Sequence, residues 1–171
     1  QHEEYDEKRN IEVLHKYYIE SMPIMKEQFL IASIEGKIPK EQLRQQLDRV
    51  QVDFKNKYFA VGVISLDYSQ ISNDKFKENT MLLPISAQKI LDDVMMNICE
   101  CISFRYIDNV IIICNFDNKE IIKSLINGFN EVCRNFKKII DGNISIGLGR
   151  VCVKFDDIYL SYNDAKSALE Y

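Results

Sequence analysis

The chain has 171 residues, enough for one compact domain with an additional element. Hydrophobic residues make up 46% and charged residues 28%, a composition that excludes a disordered protein. The net charge of −4 argues against direct nucleic-acid binding, which depends on clustered Lys and Arg. No apolar run reaches the ~20 residues of a transmembrane helix and no signal peptide is recognisable, so we expect a cytoplasmic location without membrane contact.

The first 35 residues predict a helical segment with one apolar stripe. Its members step by three or four residues: Ile11, Leu14, Tyr18, Met22, Met25 and Phe29. Pro23 allows two interpretations, because the helix either kinks there or ends near Glu20, with a second helix beginning at Pro23. Gly36 predicts a C-terminal cap. We expect residues 1–36 to form a helical linker or coiled coil and residues 37–171 to form the folded domain.

Two interpretations of the stripe stay open. The part at Met25 and Phe29 is expected to pack onto its own domain. The earlier part has no other obvious surface to bury, which favours a parallel helix pair in a homodimer. The steps from Tyr18 to Phe29 sum to 11 residues, closer to a straight helix than to a strict heptad. The candidates for dimerisation are Ile11, Leu14 and Tyr18.

Pro39 opens a predicted short helix with an apolar face at Leu43, Leu47 and Val50. From Tyr58 the run YFAVGVISLD is apolar at both alternating positions, which predicts a strand covered on both sides. The polar stretch YSQISNDKFKENT that follows predicts a loop or a loosely held helix.

Pro84 leads into the next predicted helix, whose inward residues are expected to be Ile90, Val94 and Ile98. The run CISFRYIDNVIIICNF contains two apolar segments separated by Asp108-Asn109. This pattern predicts a β-hairpin with those two polar residues at its tip.

Asp117 and Glu120 predict a capping box at the start of the clearest helix in the chain. The apolar face of that helix is Ile122, Leu125, Phe129, Val132, Phe136 and Ile139. Asp141-Gly142 is expected to end it.

The run NISIGLGR predicts a strand with bulky residues on one face and small residues on the other. Ser161 is expected to cap a last helix, with an inner face at Ala165, Ala168 and Leu169. The order after the N-terminal helices is therefore β-α-β-β-α-β-α. It predicts an α+β, ferredoxin-like sheet with packed helices, and a closing edge strand is expected beyond Tyr171.

The element order and four short patches resemble the GGDEF fold of diguanylate cyclases, the nucleotidyl-cyclase-type fold. Leu66-Asp67 is similar to the end of the family's first strand, where an aspartate helps to hold magnesium. Arg105-Tyr106 is similar to the pair that precedes the signature hairpin. Asn143–Gly147 resembles the T-x-S-x-G strand, and Ser161 to Tyr171 resembles the final helix.

Two of these patches, together with residues Pro23 to Leu30 and Gly36, resemble the central region of YesN-type regulators. In that family a receiver domain of a two-component system or a membrane-anchored sensor precedes the GGDEF-like domain. An AraC-type helix-turn-helix pair follows it. The resemblance therefore implies an upstream input domain and DNA contact through a separate C-terminal domain.

The signature hairpin departs from the cyclase pattern. Its five positions read Ile107-Asp108-Asn109-Val110-Ile111, so two glycines and both acidic residues of the signature are replaced. Phosphoryl transfer needs carboxylates that hold magnesium against the triphosphate. The Arg-x-x-Asp inhibitory site is also absent, since residues 98–101 read Ile-Cys-Glu-Cys. We expect a degenerate domain without enzymatic activity.

Single residues of the emptied cleft keep two interpretations. Asp67 could bind a metal ion, but capping the next turn is favoured. Arg105 could bind an anion, although a cross-strand salt bridge or a surface position is favoured. Gly147 and Gly149 could line a pocket or allow close helix packing. The cleft candidates are Asp67, Arg105, Asp108, Asn109, Ser145 and Gly147.

The five cysteines lie in apolar runs and contain no Cys-x-x-Cys pair. Such thiols usually behave as small hydrophobic side chains, and the histidines, His2 and His15, both fall in the N-terminal segment. We therefore expect reduced structural thiols, no metal site and no cofactor. The cysteines are Cys99, Cys101, Cys114, Cys133 and Cys152.

Three hypotheses for the function follow, in order of preference. The first is a dimerisation and signal-relay module of a DNA-binding transcription regulator. The second is a small-molecule or nucleotide sensor that uses the emptied cleft. The third is a residual diguanylate cyclase.

Overall fold

One four-stranded antiparallel sheet organises the chain in a computed structural model that describes residues 2–70 and 74–170. The strand order is β2-β3-β1-β4, and every neighbouring pair is antiparallel. This confirms the predicted α+β, ferredoxin-like arrangement. The strands are β1 (Tyr58–Leu66), β2 (Glu100–Tyr106), β3 (Asn109–Phe116) and β4 (Ile144–Leu148).

Helices cover both faces of the sheet. Alternate residues of β1 point to opposite sides: Phe59 and Val61 contact α1 and α6, whereas Ala60 and Ile64 contact α4 and α5. The central strand is therefore buried on both faces, as its continuous apolar run predicts. The helices are α1 (His2–Ile34), α2 (Lys40–Arg49), α3 (Asp74–Glu78), α4 (Leu82–Met95), α5 (Ile122–Ile140) and α6 (Ile158–Ala168).

The first helix runs through Pro23 without interruption, so the interpretation with two separate helices is wrong. Its last turns are buried at Phe29, Leu30 and Ile34, in the core between the sheet and α6. Gly36 has a φ of +70° and ends the helix as predicted. The Lys37 amide donates to the Ala32 carbonyl at 2.9 Å, which satisfies one of the final carbonyls.

Of the predicted inner face of α4, Val94 is confirmed, whereas Ile90 and Ile98 are wrong. Ile90 and Ile98 are only partly buried, and Ile98 lies beyond the end of the helix. Leu83 and Leu91, on the neighbouring rows of the helix, face the sheet instead. Both rows are apolar, so the local pattern does not show which of them is buried. The buried residues are Leu83, Ala87, Leu91, Val94 and Met95.

The predicted capping box of α5 is also wrong. Asn118, not Asp117, caps a 3₁₀ turn that precedes the helix, and its side chain accepts a hydrogen bond from the Glu120 amide. Asp117 instead accepts from the Lys57 amide at 2.9 Å and holds the entry to β1. At the other end Ile139 is exposed and Ile140 is buried.

The last helix begins at Ile158, three residues before the predicted cap. Ser161 lies inside the helix and is fully buried, and Ala165 faces the core as predicted. Ala168 is exposed rather than inward. Tyr171 and residues 71–73 of the polar stretch lie outside the described residues, and the rest of that stretch forms a 3₁₀ turn at Tyr68–Gln70 and the short α3.

Within residues 2–70 and 74–170, no helix combines the length and the hydrophobicity that crossing a membrane requires.

Candidate functional site at the hairpin end of the sheet

The sheet register brings the predicted cleft residues to one end of the sheet. Ser65 of β1 pairs with Asn109 on one side and with Ser145 on the other. Asp67 lies just beyond the end of β1, and its amide donates to the Asn143 carbonyl at 3.2 Å. The carboxyl end of β1 therefore meets the hairpin tip and the start of β4.

These residues are divided between the two faces of the sheet. Arg105 pairs with Val110, which faces α4 and α5, so Arg105 lies on that face. Asn109 and Ser145 both pair with Ser65 and share the opposite face, where α1 and α6 lie. The predicted residues are thus close along the sheet, but they do not form one cleft.

Asp67 caps the turn that follows β1, as predicted. One carboxylate oxygen accepts hydrogen bonds from the Ser69 amide at 2.9 Å and from the Ser69 hydroxyl at 2.6 Å. These bonds stabilise the charged form and lower the pKa of Asp67. The carboxylate therefore has a structural partner of its own.

The hairpin turns at Ile107 and Asp108, one residue earlier than predicted. Tyr106 pairs directly with Asn109, so Asn109 is the first residue of β3 and not part of the tip. Ile107 has a φ of +56°, in the left-handed region that β-branched residues disfavour. Its side chain is 79% exposed. The tip thus presents a strained, outward-facing apolar side chain.

A hollow of about 550 Å³ lies beside the hairpin tip and includes Arg105 and Asp108. Its other walls are Tyr68, Thr80, Met81, Pro84 and Ile107. Partial burial and the negative charge of Asp108 raise the pKa of Tyr68. Of the predicted cleft residues, only Arg105 and Asp108 line this hollow.

The walls at Tyr68 and Met81 were missed by reasoning from sequence. Both lie in or next to the polar stretch that predicts a loop, where single apolar residues carry little information. Met81 is 67% exposed beside the hollow, an exposed position for a large apolar side chain. The sequence alone does not show that Met81 is exposed beside the hairpin tip, because this depends on how the hairpin folds.

Arg105 is exposed at the rim of the hollow. It makes no ion pair with any residue in the described ranges, so the predicted cross-strand salt bridge is wrong. The surface interpretation of Arg105 is the one that fits.

The small residues of β4 face a helix, not a cavity. A Cβ atom added at Gly147 would collide with the Ala165 carbonyl oxygen of α6. One added at Gly149 would collide with the Ser161 carbonyl oxygen. Close helix packing, the second interpretation of these glycines, is therefore correct, and α6 occupies the space that a ligand beside Gly147 would need.

Ser161 fills a gap in the ladder between β1 and the chain after β4. The chain bulges away from β1 after Gly149 and returns to it at Cys152, which exchanges two hydrogen bonds with Phe59 at 2.7 Å. The Val61 amide lies between these contacts and donates to the Ser161 hydroxyl at 2.8 Å. A side chain of α6 thus satisfies a buried strand amide.

The bulge is held to α6 by an ion pair. Arg150 makes a two-pronged contact with the Asp164 carboxylate, at 2.6 Å from Nε and 3.1 Å from the second terminal nitrogen. The hydrogen bonds from Arg150 lower the pKa of Asp164. This pair fastens the helix over the small face of β4.

The described residues contain no group of three His, Cys, Asp or Glu side chains arranged to hold a metal ion. Among the described residues that line the hollow, Asp108 supplies a carboxylate and Arg105 supplies a cation.

The N-terminal half of α1 extends beyond the core with exposed apolar side chains. Ile11 is 65% exposed and Leu14 is 66% exposed, while Tyr18 is 42% exposed and donates from its hydroxyl to the Arg49 carbonyl at 3.2 Å. The stripe therefore divides where it was expected to divide, since Phe29 is buried in the domain. Whether the exposed part pairs with a second copy stays a prediction.

A comparison with known protein families places this fold. The family model of the GGDEF-like domain matches residues 35–171. The chain belongs to the GGDEF-like domain family. No curated protein matches the chain. In this GGDEF-like domain the tip of the β2–β3 hairpin carries Ile107 and Asp108, and β3 begins at Asn109.

Proposed function

We propose that this GGDEF-like domain is a non-catalytic dimerisation and signal-relay module of a DNA-binding transcription regulator. The observation that carries the proposal is the division of α1. Its last turns are buried in the core, whereas Ile11, Leu14 and Tyr18 share one face of its N-terminal half and are exposed to solvent. A second copy of this helix is the simplest surface that would cover them.

Exposed apolar residues are unusually dense in this part of the helix. Single exposed apolar residues are ordinary on protein surfaces, but here they occupy six of the nine positions from Ile11 to Ile19. Burying a Leu or Ile side chain stabilises an interface by about 1.5–3 kcal/mol. The exposed members are Tyr5, Ile11, Val13, Leu14, Tyr17, Tyr18 and Ile19.

The hairpin supports the non-catalytic part of the proposal. A cyclase site needs acidic side chains at the signature to hold metal ions against the triphosphate. Asn109 and Val110 supply no carboxylate there, Val110 is fully buried, and the Asp67 carboxylate is bonded to Ser69. We expect incubation with GTP and Mg²⁺ to give no cyclic dinucleotide; product formation at a measurable rate would refute this part of the proposal.

Light scattering over a wide range of concentration tests the dimer. We expect the chain to be dimeric and Ile11→Glu or Leu14→Glu to be monomeric, because a buried charge would face the partner helix. Asn10→Glu is the matched control, since Asn10 is an exposed polar residue on the same helix. Equal masses for all variants, or a monomeric unmodified chain, would contradict the proposal. Far-UV circular dichroism checks that the variants remain folded.

The relay requires the larger regulator that the resemblance implies. We expect Leu14→Glu in the full-length protein to change DNA affinity and target expression, and Asn10→Glu to leave both unchanged. An unaltered response to Leu14→Glu would leave a dimer contact without a relay role.

A second candidate, ligand sensing, is favoured by the hollow of about 550 Å³ beside Arg105 and Asp108. Its volume lies in the usual range for small-molecule sites. A thermal-shift screen of nucleotides and common metabolites tests it, with Arg105→Ala as the variant that removes the cation. A stabilising compound whose effect survives Arg105→Ala would argue against this hollow as its site.

A further inference from the structure

A pocket of about 540 Å³ lies between α2 and the start of β1, at the end of the sheet opposite the hairpin tip. One face of α2 forms the first wall, and residues 52–57 form the second. Val153 and Phe155, in the chain after β4, form the third. Pockets that bind small molecules usually have volumes of about 300–1,000 Å³. The size and the three walls therefore fit a small molecule.

The floor of this pocket is apolar and mainly aromatic. Phe59 and Phe155 are buried there, and the half-buried Phe54 packs against both rings, with centroid separations of 5.2 Å and 5.4 Å. Leu43 and Leu47 lie on the face of α2 that lines the pocket and are only half-buried. No residue of α2 is fully buried. The apolar side of this helix is therefore still available to contact an apolar ligand.

Charged side chains of both signs surround the apolar floor. Arg44 and Asp48 lie one helical turn apart on α2. Asp53 and Lys57 lie on the segment that precedes β1. All four are exposed, and none of them forms an ion pair with a residue in the ranges 2–70 and 74–170. The fifth charged residue of the lining, Lys40, is already held in an ion pair.

This combination of charges matches a zwitterion better than a simple anion or cation. An arginine guanidinium donates two parallel hydrogen bonds to a carboxylate, and an ammonium group donates to a carboxylate. The Cβ atoms of Arg44 and Asp48 lie about 5–6 Å apart, because residues four positions apart share one side of a helix. The carboxylate and the ammonium of one small molecule can therefore contact both side chains at once.

We propose that this pocket binds a small zwitterion with an apolar side chain, either an apolar amino acid or a dipeptide with free termini. The apolar side chain contacts the phenyl rings of the floor. The carboxylate of the ligand pairs with Arg44, and its ammonium group pairs with Asp48 or Asp53. The site is separate from the hollow at the hairpin tip and from the exposed part of α1.

NMR titration of the isotope-labelled chain with two probes, phenylalanine and the dipeptide Leu-Phe, tests the site directly. We expect saturable shifts of the backbone amides at residues 43–57 and 153–155, and the tighter probe identifies the source of the ligand. Two control compounds separate the apolar from the charged contacts. Glycylglycine keeps the charged termini without apolar side chains, and N-acetyl-Leu-Phe-amide keeps the side chains without the charges. Each should bind at least about tenfold more weakly than Leu-Phe.

Substitutions at exposed positions test the contacts without disturbing the core. Arg44→Ala should weaken binding of the tighter probe about tenfold, because a charge-assisted hydrogen bond is lost. Arg134→Ala is the matched control, since Arg134 is exposed on α5 and lies outside the pocket. Leu14→Glu should bind the probe as the unmodified chain does, which separates this site from the contact between copies of α1. The dispersion of the amide spectrum shows whether each variant is folded.

The proposal is overturned if the saturable shifts lie at residues 105–108 instead, which would place the ligand in the hollow at the hairpin tip. It is equally overturned if the acetylated amide binds as tightly as Leu-Phe, or if Arg44→Ala and Arg134→Ala bind alike. Absence of saturable binding of both probes at about 10 mM would also overturn it. These outcomes do not depend on dimerisation or on DNA binding.

Discussion

Ser161→Ala is the substitution that best tests whether α6 packs directly on the sheet beside β4 or leaves room there for a ligand. The Ser161 hydroxyl accepts a hydrogen bond from the Val61 amide at 2.8 Å, and both residues are fully buried. Alanine keeps the helix and removes the acceptor, so the strand amide is left without a partner in the core. The change therefore probes whether α6 completes the ladder of β1.

The magnitude follows from the burial of the amide. A buried donor that loses its partner costs about 1–3 kcal/mol, and the better helix propensity of alanine returns about 0.5 kcal/mol. We expect Ser161→Ala to lower the free energy of unfolding by about 0.5–2.5 kcal/mol. For a chain of this size that lowers Tm by about 1–10 °C.

Urea denaturation followed by circular dichroism measures the loss. Ser167→Ala is the matched control, since Ser167 is exposed on the same helix, and it should change the free energy of unfolding by less than about 0.5 kcal/mol. Equal stabilities for the two variants would refute the role of Ser161 in the ladder. The covering of Gly147 by α6 would then rest on steric contact alone.

The remaining predictions concern the hairpin tip, a buried amide and an ion pair. Ile107→Gly relieves a left-handed conformation that costs about 1–2 kcal/mol, but glycine loses more backbone entropy on folding, which costs about 0.5–1 kcal/mol. The variant should therefore be more stable by about 0.5–1 kcal/mol in urea denaturation. A destabilised variant would argue against the strain. Asn115→Ala removes contacts to the backbone of residues 56 and 58 at 2.9 Å and should cost about 2–3 kcal/mol, whereas the exposed Asn130→Ala should be near neutral. Arg150 lowers the pKa of Asp164, so the pair stabilises the fold above the ordinary aspartate pKa. The stability difference between the unmodified chain and Asp164→Asn should therefore shrink as pH falls from about 7 to about 3, and a difference that is constant with pH would exclude the ion pair as its source.

Element types and their order could be predicted from the sequence because they depend on local pattern. From Phe59 to Ile64 the run that begins at Tyr58 holds only apolar residues and one glycine, which specifies a two-sided strand. The position of the hairpin tip could not be predicted from turn chemistry. Asp108-Asn109 is the favoured turn pair, but the alternation of both strands sets the register and forces Ile107 into the left-handed region.

The hydrogen-bond partners of the polar side chains at the site could not be predicted from the sequence. Ser161 stands before a run typical of a helix start, so a cap is the local interpretation. Its acceptor role depends on Val61, 100 residues away along the chain, and on a bulge that opens a gap in the ladder. The surroundings of Gly147 depend on α6 in the same way, since a strand of small residues predicts close approach but not what approaches.

The proposed relay requires that a movement of the N-terminal half of α1 reaches the folded domain, and the contacts of α1 define how it can do so. Phe29 and Leu30 are buried between the sheet and α6, so the lower part of the helix cannot move without disturbing the core. The helix continues through Pro23, which cannot donate to the Ile19 carbonyl and therefore weakens the helix just above the buried turns. Tyr18, one turn earlier, is bonded to the Arg49 carbonyl at the end of α2. A change in how the N-terminal half of α1 packs against a second copy would thus reach the domain by two routes, bending of α1 at Pro23 and displacement of α2. Tyr18→Phe removes the hydrogen bond to α2 and would therefore block only the second route.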